Sequence, residues 1–487
     1  MNQQNQILLY LSIMLFVPFS AARSAQPNMI FLLTDDQGWG DVAYNGHPKL
    51  KTPALDAMSK AGIRFDRFYA AASVCSPTRV TCLTGRNNWR VNINGPVRPD
   101  EAHLPVEEIT IAEAIKSKGY ASGHFGKWHV GGFSKERAGA HYMTPSMAGF
   151  DEWFSTRNVI STFDPYKRTP KGGVIDLYYD NGRNIPMEEA QKDPTLRGDD
   201  AAIVMTKALD FIRKHAKTGK PFMAKIWFHN VHTPLGKNPE LMSLYKDCEP
   251  QEQVYFANIT AIDRQVGRLR AELRKLGIAD STMVWFASDN GPNLKGKKNV
   301  KTAKAQGGKF NYTPIGSSGA YRGWKRHLHE GGVIVPGLLE WPSKIKKPFA
   351  TSHAAVTTDY FPTVLDILDI PLPDDREYDG ISLLPLIEGK VTQRDKPIGF
   401  QANGWSAWTE HRYKIVRASK KVGTGEWLLY DLANDPFEEN DLAAKQPDRV
   451  KTMVAAFDEW AASVEADLAK VRAKYYPKEK KPTKDKK

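Results

Sequence analysis

The sequence has few cysteines, no repeating unit and no apolar run long enough for an obvious membrane span. Three cysteines in 487 residues are too few for a fold held together by disulfides. No strict period recurs along the chain, which argues against a solenoid. Apolar and charged residues make up 41% and 25% of the chain, which is ordinary for a globular protein and excludes wholesale disorder. The length indicates two or three domains.

The first 25 residues have the pattern of a secretory signal peptide. Residues 7–19 are almost entirely apolar and small residues follow up to Ala25, but the run is short for a membrane span, which needs about 20 residues. The segment departs from the usual pattern because no Lys or Arg precedes the apolar run. A retained anchor is therefore the alternative. We expect an exported protein, periplasmic or extracellular, without a stable membrane span.

Positive charge is concentrated at the C-terminal end. The net charge is +13, and residues 470–487 hold nine Lys or Arg against two acidic residues. Such a segment can bind an anionic surface, but no nucleic-acid-binding motif accompanies it. We expect a solvated, disordered tail over 476–487 and no nucleic-acid partner.

The order of apolar and amphipathic segments predicts an α/β fold with a large, mainly parallel sheet flanked by helices. Continuous apolar runs, typical of strands buried on both faces, cover 29–33, 221–228 and 282–287. Helical patterns cover 110–118, 200–214, 252–276 and 359–368. This main domain is expected over 26–392.

The pattern changes after about residue 390. Short segments with strand character cover 398–401, 412–416 and 427–430, and a helical pattern follows over about 448–474. We therefore predict a smaller C-terminal α+β domain over 393–475, built on a short antiparallel sheet.

Two acidic or amide pairs follow predicted buried strands. Asp35 and Asp36 come after the first run, and Asp289 and Asn290 come after the run at 282–287. In parallel α/β sheets, sites gather at the carboxyl ends of strands. Carboxylate and amide oxygens suit Ca²⁺ or Mg²⁺, although one such pair alone would be weak because Asp and Asn are common in turns.

A short helix is predicted after Cys75. Pro77 suits a first helical turn and Gly85 suits a helix end. Cys75 would then lie at the helix N-terminus, where the helix dipole favours an anion. The structural alternative is a buried cysteine before a short helix.

The segment that begins at Cys75 resembles the signature of the type I sulfatases, which belong to the alkaline phosphatase superfamily. It reads CSPTR at 75–79 and LTGR at 83–86, with Thr78 where the family usually has Ser. Other blocks follow in the family's order: LLTDDQG at 32–38, GKWH at 126–129, HTP at 232–234, SDNG at 288–291, Lys325 before EGG at 330–332, and LYDL at 429–432 with Asp435 and Pro436.

The resemblance implies an alkaline phosphatase-like fold and a formylglycine-dependent active site. Cys75 would be converted to Cα-formylglycine by a formylglycine-generating or sulfatase-maturating enzyme. One divalent cation, Ca²⁺ rather than Mg²⁺, would be bound by Asp35, Asp36, Asp289, Asn290 and the modified Cys75.

Basic and histidine side chains would act on the nucleophile and on the substrate. The resemblance implies that Arg79 and Lys127 stabilise the formylglycine and that His129 hydrogen-bonds its hydroxyl. Lys325 and His232 would hold the sulfate and the leaving oxygen. His229 lies just before the HTP block, and it is expected either to support the site from behind or only to pack.

These residue types suit the hydrolysis of a sulfate monoester. The substrate is an anion, so cationic groups must offset its repulsion of an anionic nucleophile. In the family, one hydroxyl of the aldehyde hydrate attacks sulfur and loss of a proton from the other expels sulfate. The expected substrate is a sulfated carbohydrate or an aryl sulfate. A phosphate mono- or diesterase of the same fold is the first alternative, and a non-catalytic sulfated-glycan-binding protein is the second.

Two further expectations concern residues outside this set. Cys82 and Cys248 are expected to be structural and chemically silent, with a disulfide between them as the alternative. The segment 291–329 contains no acidic residue but nine Lys or Arg. It begins beside Asn290 and contains Lys325, so it is expected to form a basic rim that selects polyanionic glycans. The alternative is a solvated insertion.

Overall fold

The computed structural model describes residues 26–98, 102–133, 141–167, 176–294 and 315–476. In these residues the centre of the fold is a mixed sheet of eleven strands. Its strands are β1 (Asn28–Thr34), β2 (Ile63–Tyr69), β3 (Ala121–Lys127), β4 (Glu152–Thr156), β5 (Tyr179–Asp180), β6 (Arg183–Asn184), β7 (Phe222–Trp227), β8 (Thr282–Ser288), β9 (Ile334–Glu340), β10 (Phe349–Thr351) and β11 (Ala355–Val356).

The strands follow the order β10-β2-β9-β8-β1-β7-β3-β4-β5-β6, and β11 also pairs with β2. The central pairs formed by β8, β1, β7, β3 and β4 are all parallel. Strand β9 runs antiparallel to both β2 and β8. The sheet is therefore mainly parallel at its centre, as predicted, with antiparallel pairs towards its edges.

Helices cover both faces of this sheet. The α-helices of the described residues are α1 (Pro53–Ser59), α2 (Cys75–Thr84), α3 (Ile111–Ala114), α4 (Met187–Lys192), α5 (Asp200–Thr218), α6 (Pro239–Met242), α7 (Pro250–Lys275), α8 (Glu330–Val333), α9 (Tyr360–Ile367), α10 (Leu384–Ile387) and α11 (Pro447–Tyr475). Short 3₁₀ helices cover Ala43–Asn45, Ile115–Lys118, Pro194–Leu196, Ser243–Tyr245 and Thr357–Asp359.

Strand β1 shows how the core is built on both faces. Successive strand residues point to opposite sides, so Met29, Phe31 and Leu33 pack in one hydrophobic cluster with residues of α2 and α9. Ile30 and Leu32 pack in a second cluster with residues of α5 and α7. This arrangement explains the uninterrupted apolar run from which a doubly buried strand was predicted.

A four-stranded antiparallel sheet forms the C-terminal part: β12 (Ile398–Ala402), β13 (Trp405–Thr409), β14 (Tyr413–Ala418) and β15 (Leu428–Asp431). Helix α11 packs on one of its faces, where Phe457 and Met453 join Trp408 and Ile415. The predicted smaller antiparallel sheet and its helix are confirmed. The domain limits at 26, 392 and 475 stay predictions.

Lys414 joins the small sheet to the main body. Its buried Nζ lies 2.7 Å from a carboxylate oxygen of Glu330 and 3.0 Å from one of Glu438. Tyr69 of β2 donates a 2.7 Å hydrogen bond to the other oxygen of Glu330. Two carboxylates thus surround one lysine ammonium where three parts of the chain meet, which keeps this buried charge paired.

Several predictions concern residues outside the described ranges. The signal segment 1–25, the tail from residue 477, and the lysines at 295, 297, 298, 301, 304 and 309 all lie there. Among the residues that the structure describes, no helix has the length and apolar character required to cross a membrane.

Candidate active site

The two acidic pairs meet at the carboxyl edge of the large sheet. Strands β1 and β8 are parallel neighbours with Thr34 opposite Ser288, so the residues that follow them emerge side by side. The backbone N–H of Asp36 donates a 3.2 Å hydrogen bond to Oδ1 of Asp289. The amide of Asn290 donates a 2.7 Å hydrogen bond to Oδ1 of Asp36. All five predicted ligands, Asp35 and Cys75 included, are buried.

Unpaired oxygen atoms in this cluster fit a cation. Oδ1 of Asp35 and Oδ1 of Asn290 are both buried without a hydrogen-bond partner. Buried acceptors are normally paired, so such atoms call for a ligand. The donor set consists of carboxylate and amide oxygens, as Ca²⁺ and Mg²⁺ prefer. The residues therefore fit the predicted hard divalent cation.

His232 lies beside the acidic cluster, although it was predicted only to hold the sulfate and the leaving oxygen. Ligand atoms of Asp35, Asp36 and His232 lie within 4.8 Å of one another, in an arrangement able to hold a metal ion. Nε2 of His232 is 3.7 Å from Oδ2 of Asp36. His232 was not predicted to lie against Asp36. Its place shortly after the predicted strand at 221–228 is the sequence signal that puts it at this edge of the sheet.

Three cationic side chains pair with the acidic cluster. Lys127 Nζ lies 2.5 Å from Oδ2 of Asp35, and Lys325 Nζ lies 2.6 Å from Oδ1 of Asp36. Arg79 donates from Nε and Nη2 to Oδ2 of Asp289, at 3.1 and 2.7 Å. These charge-assisted contacts offset the repulsion between neighbouring carboxylates.

The carboxylates experience opposite net effects. Burial alone would raise the pKa of Asp35, but Lys127 and the other nearby cations outweigh it and hold that pKa below its ordinary value. Burial and the charge of Asp35 raise the pKa of Asp289 to about 7. A bound cation would favour the ionised form of both groups, because an opposite charge stabilises a carboxylate.

Cys75 is the first residue of α2, as predicted, and is 2% exposed. Helix α2 ends at Gly85, whose left-handed backbone (φ 70°) donates its N–H to the carbonyl of Thr81. Thr78 donates its hydroxyl to the carbonyl of Ala72 at 2.9 Å. Burial raises the pKa of the Cys75 thiol despite the nearby Lys127 and Lys325. The expected effect of the helix N-terminus is thus outweighed, and an unmodified Cys75 would be a poor thiolate nucleophile.

His129 lies just beyond β3 in a left-handed backbone conformation (φ 59°), as does Asp36 (φ 63°). Non-glycine residues rarely adopt this region, and such conformations are enriched at functional sites. Both ring nitrogens of His129 are buried without a hydrogen-bond partner. Burial, with Lys127 and Arg79 nearby, holds its pKa well below the ordinary value. The ring is therefore a neutral imidazole with an unused donor and acceptor.

His229 is fully buried. The hydrogen bonds of its ring are made to residues outside the acidic cluster. Its ring binds Asp200 through Nδ1 at 2.8 Å and Thr156 through Nε2 at 2.7 Å. Its carbonyl accepts a 2.9 Å hydrogen bond from the backbone N–H of His232. Asp200 and Thr156 were not predicted as partners of His229. The only sequence signal at either position is the predicted start of a helix at residue 200.

Comparison with known proteins decides the family. The sulfatase profile matches residues 27–370, and a profile for the C-terminal part of N-sulphoglucosamine sulphohydrolase matches 319–459. N-acetylgalactosamine-6-sulfatase of Sus scrofa is 34% identical over 407 residues, or 80% of this chain and 71% of the relative. The chain belongs to the sulfatase family.

Other relatives agree with this result. Arylsulfatase G of Rattus norvegicus is 29% identical over 428 residues, or 83% of this chain and 77% of the relative. The crystal structure of Ps i-CgsB superposes with a TM-score of 0.76 at 24% identity, and the match covers 90% of this chain and 93% of that one. The predicted alkaline phosphatase-like fold is confirmed, and the protein is a sulfuric ester hydrolase, as the motifs indicated.

In this sulfatase, close backbone packing holds the loop that carries Lys325. A Cβ atom on Gly332 would lie 2.1 Å from the carbonyl oxygen of His327, so only glycine fits there. The N–H of Arg326 donates a 2.9 Å hydrogen bond to the carbonyl of Ser73, just before Cys75. The EGG block therefore serves to fix the position of Lys325.

The other two cysteines of the sulfatase are not bonded to each other. All three cysteines are free thiols in the structure, with Cys82 buried and Cys248 partly buried. Burial raises the pKa of Cys82 to about 12, which favours the protonated thiol at neutral pH. The alternative Cys82–Cys248 disulfide is absent from this structure, and the chemical silence of both residues stays a prediction.

Proposed function

We propose that this sulfatase removes a sulfate ester from a sulfated carbohydrate, using a formylglycine made from Cys75 and one bound Ca²⁺ ion. The observation that carries the proposal is the convergence of unpaired buried oxygens of Asp35 and Asn290 with three cations, Lys127, Lys325 and Arg79, near Cys75. The carbohydrate part is supported by the 34% identical relative, which is by name a sulfatase of an amino sugar.

Asp35, Asp36, Asp289 and Asn290 would hold the cation, with the modified residue 75 as a further ligand. The cation supplies positive charge that draws in the sulfate group and stabilises the charge that develops at its oxygens. The formylglycine supplies a hydrated aldehyde, and therefore a nucleophilic hydroxyl that an unmodified cysteine lacks.

The chain's own side chains orient and neutralise the reacting groups. Lys127 and Arg79 would keep the hydroxyls of residue 75 in place, and His129 has an unpaired nitrogen with which to bind one of them. Lys325 stays charged because the Asp36 carboxylate outweighs the effect of burial on its pKa. It would bind sulfate oxygens, and the leaving oxygen would receive its proton from His232 or Lys325.

The net reaction adds one water across the sulfate ester and releases an alcohol and hydrogen sulfate. Such a site needs a maturing partner, and a formylglycine-generating or sulfatase-maturating enzyme would act on Cys75. The apolar start of the chain supports export to the periplasm or the extracellular space. The segment 26–392 would be the catalytic domain.

Peptide mass spectrometry of the purified protein, combined with a sulfate-release assay, tests the proposal. We expect the peptide with Cys75 to carry an aldehyde, and sulfate to be released from defined sulfated mono- and disaccharides. A Cys75→Ala variant should lose essentially all turnover. A free Cys75 thiol in fully active protein, or release of phosphate from aryl phosphate faster than of sulfate from aryl sulfate, would contradict it.

A further inference from the structure

A buried hydrogen-bond chain lies behind the catalytic groups and runs from Tyr178 through Asp200 and His229 to Thr156. Tyr178 donates its hydroxyl to Oδ1 of Asp200. Oδ2 of Asp200 lies 2.8 Å from Nδ1 of His229, and Nε2 of His229 lies 2.7 Å from Oγ1 of Thr156. All four residues are completely buried. None of them has a role in the mechanism proposed above.

The Thr156 hydroxyl determines which proton His229 must carry. A threonine hydroxyl has one proton, and Oγ1 of Thr156 lies 2.6 Å from the carbonyl oxygen of Asn158, which can only accept. The hydroxyl proton is therefore used in that bond. Nε2 of His229 must then donate its own proton to Oγ1, since two lone pairs would otherwise face each other at 2.7 Å.

The opposite side of the ring needs a second proton. The contact between Nδ1 of His229 and Oδ2 of Asp200 also requires one. Asp200 and His229 together therefore carry one proton more than an aspartate carboxylate and a neutral imidazole would carry. Asp200 is the first residue of α5, where the helix dipole favours a carboxylate, and it also accepts from Tyr178. These contacts favour an imidazolium on His229 paired with a carboxylate on Asp200.

His229 also connects the two chain segments that carry the catalytic histidines, His129 and His232. The carbonyl of Thr156 accepts from the backbone N–H of Trp128, and that of Arg157 accepts from His129, both at 3.0 Å. The His229 ring thus holds the chain alongside His129, while the His229 carbonyl accepts from the N–H of His232.

We infer that His229 and Asp200 form a buried ion pair that positions His129 and His232 relative to each other. His229 is a positioning residue, because it acts through Thr156 and through its own carbonyl and touches neither substrate nor cation. The inference depends on the proposed function only for the catalytic roles of His129 and His232. The titratable groups that face the ring are Asp200, Tyr178 and, from β3, the buried His124. Burial, with Arg79 and Lys225 nearby, holds the pKa of His124 well below its ordinary value, so His124 adds no charge.

Nuclear magnetic resonance of the whole protein, labelled with ¹⁵N only in histidine, tests the protonation state without any use of activity. His229→Gln identifies the resonance pair. We expect both ring nitrogens of His229 to be protonated at pH 8, where an exposed histidine is neutral. A single protonated nitrogen on His229 at that pH would overturn the inference.

Kinetics test the positioning role. Thr156→Val removes the hydroxyl at nearly the same size, and Thr156→Ser restores it. A small displacement of a catalytic group can cost about 100-fold in rate, so we expect kcat on 4-nitrophenyl sulfate to fall at least tenfold in Thr156→Val and in Asp200→Asn. Thr156→Ser should keep kcat within about twofold, and KM should change little in all three.

Asp199→Asn is the matched control. Asp199 is the neighbouring carboxylate that caps α5 through the N–H groups of Ala201 and Ala202, and asparagine caps equally well. This variant should keep wild-type kcat. If Thr156→Val or Asp200→Asn retained full kcat, or if Asp199→Asn lost as much as Asp200→Asn, the positioning role would be wrong. Formylglycine content is measured in each variant. Failure of the proposed function would be seen as inactive wild-type protein, whereas failure of the positioning role would be seen as active wild-type protein whose variants do not behave as expected.

Discussion

The ammonium of Lys127 lies 2.5 Å from Oδ2 of Asp35, and both side chains are completely inaccessible to solvent. The lysine comes from the end of β3 and the aspartate from the end of β1, with β7 between these two strands. A buried carboxylate that lost this partner would remain as an uncompensated charge, which is strongly destabilising. We therefore expect the pair to allow the site to fold before a divalent cation binds.

Removal of the Lys127 charge should make the fold more dependent on Ca²⁺. In Lys127→Met we expect a lower Tm without metal and a larger rise in Tm on addition of Ca²⁺ than in the wild type, because the cation takes over the neutralisation of Asp35. Turnover should still fall sharply, since the metal does not replace a lysine beside residue 75. Thermal scans with and without Ca²⁺ measure this, and equal shifts in both proteins would refute it.

Metal removal should abolish turnover and lower stability. We expect exhaustive chelation to eliminate sulfate release and Ca²⁺ to restore it better than Mg²⁺, because Mg²⁺ demands stricter octahedral geometry. Saturation at about 100 times Kd should add about 2.7 kcal/mol of stability.

Asp289→Asn should weaken Ca²⁺ binding, while the new amide oxygen can still accept from Arg79. Asp289→Ala would instead leave that buried guanidinium less well paired. Elemental analysis without any bound metal in active protein would contradict the prediction.

Local sequence signals predicted those parts of the fold that depend on neighbouring residues. The doubly buried strands β1, β7 and β8 were predicted because uninterrupted apolar runs need two covered faces. Helix α2 was predicted from Pro77 and Gly85. The strand Trp405–Thr409 was missed, although Asn403 and Gly404, with φ of 52° and 80°, form a two-residue connection of the kind that joins hairpin strands.

Contacts between distant segments could not be predicted from local patterns. His232 reaches Asp36 because β7 and β1 are parallel neighbours and the residues after them run side by side, with Asp35 hydrogen-bonded to Asn230 and Val231. That these two strands are neighbours in the sheet is not encoded by any local pattern. The chain of Asp200, His229 and Thr156 joins a helix start to the ends of two strands. Each residue alone has the appearance of an ordinary cap or core residue, so only the packed structure identifies the set.

Lys225 provides a test of stability against pH that is independent of the active site. Its buried Nζ donates a 2.9 Å hydrogen bond to the carbonyl of Cys82 and lies 4.3 Å from the centre of the Phe31 ring. Burial lowers its pKa to about 8, from 10.5. Between these values the unfolded chain binds more protons than the folded one, so this residue's contribution to stability rises with pH and is most unfavourable below pH 8.

We expect Lys225→Met to remove that dependence. At pH 7 the variant should be as stable as the wild type or more stable, by up to about 3 kcal/mol before the loss of the hydrogen bond to Cys82 is subtracted. The difference should shift in favour of the wild type as the pH rises from about 7 to about 10. Urea unfolding at several pH values measures it. A difference that does not change with pH would show that Lys225 keeps its ordinary pKa.

The basic segment 291–329 should determine how the enzyme responds to salt and to polyanionic substrates. Its lysines at 295, 297, 298, 301 and 304 are expected to raise the local concentration of anions near Lys325, an effect that salt screens within about 10 Å at 0.1 M. With all five replaced by Ser, kcat/KM on a sulfated oligosaccharide should fall several-fold and lose its sensitivity to salt. Activity on a small monoanionic aryl sulfate should change much less, because that substrate offers the segment no second charge. Equal losses on both substrates, or none on either, would show that the segment is only a solvated insertion.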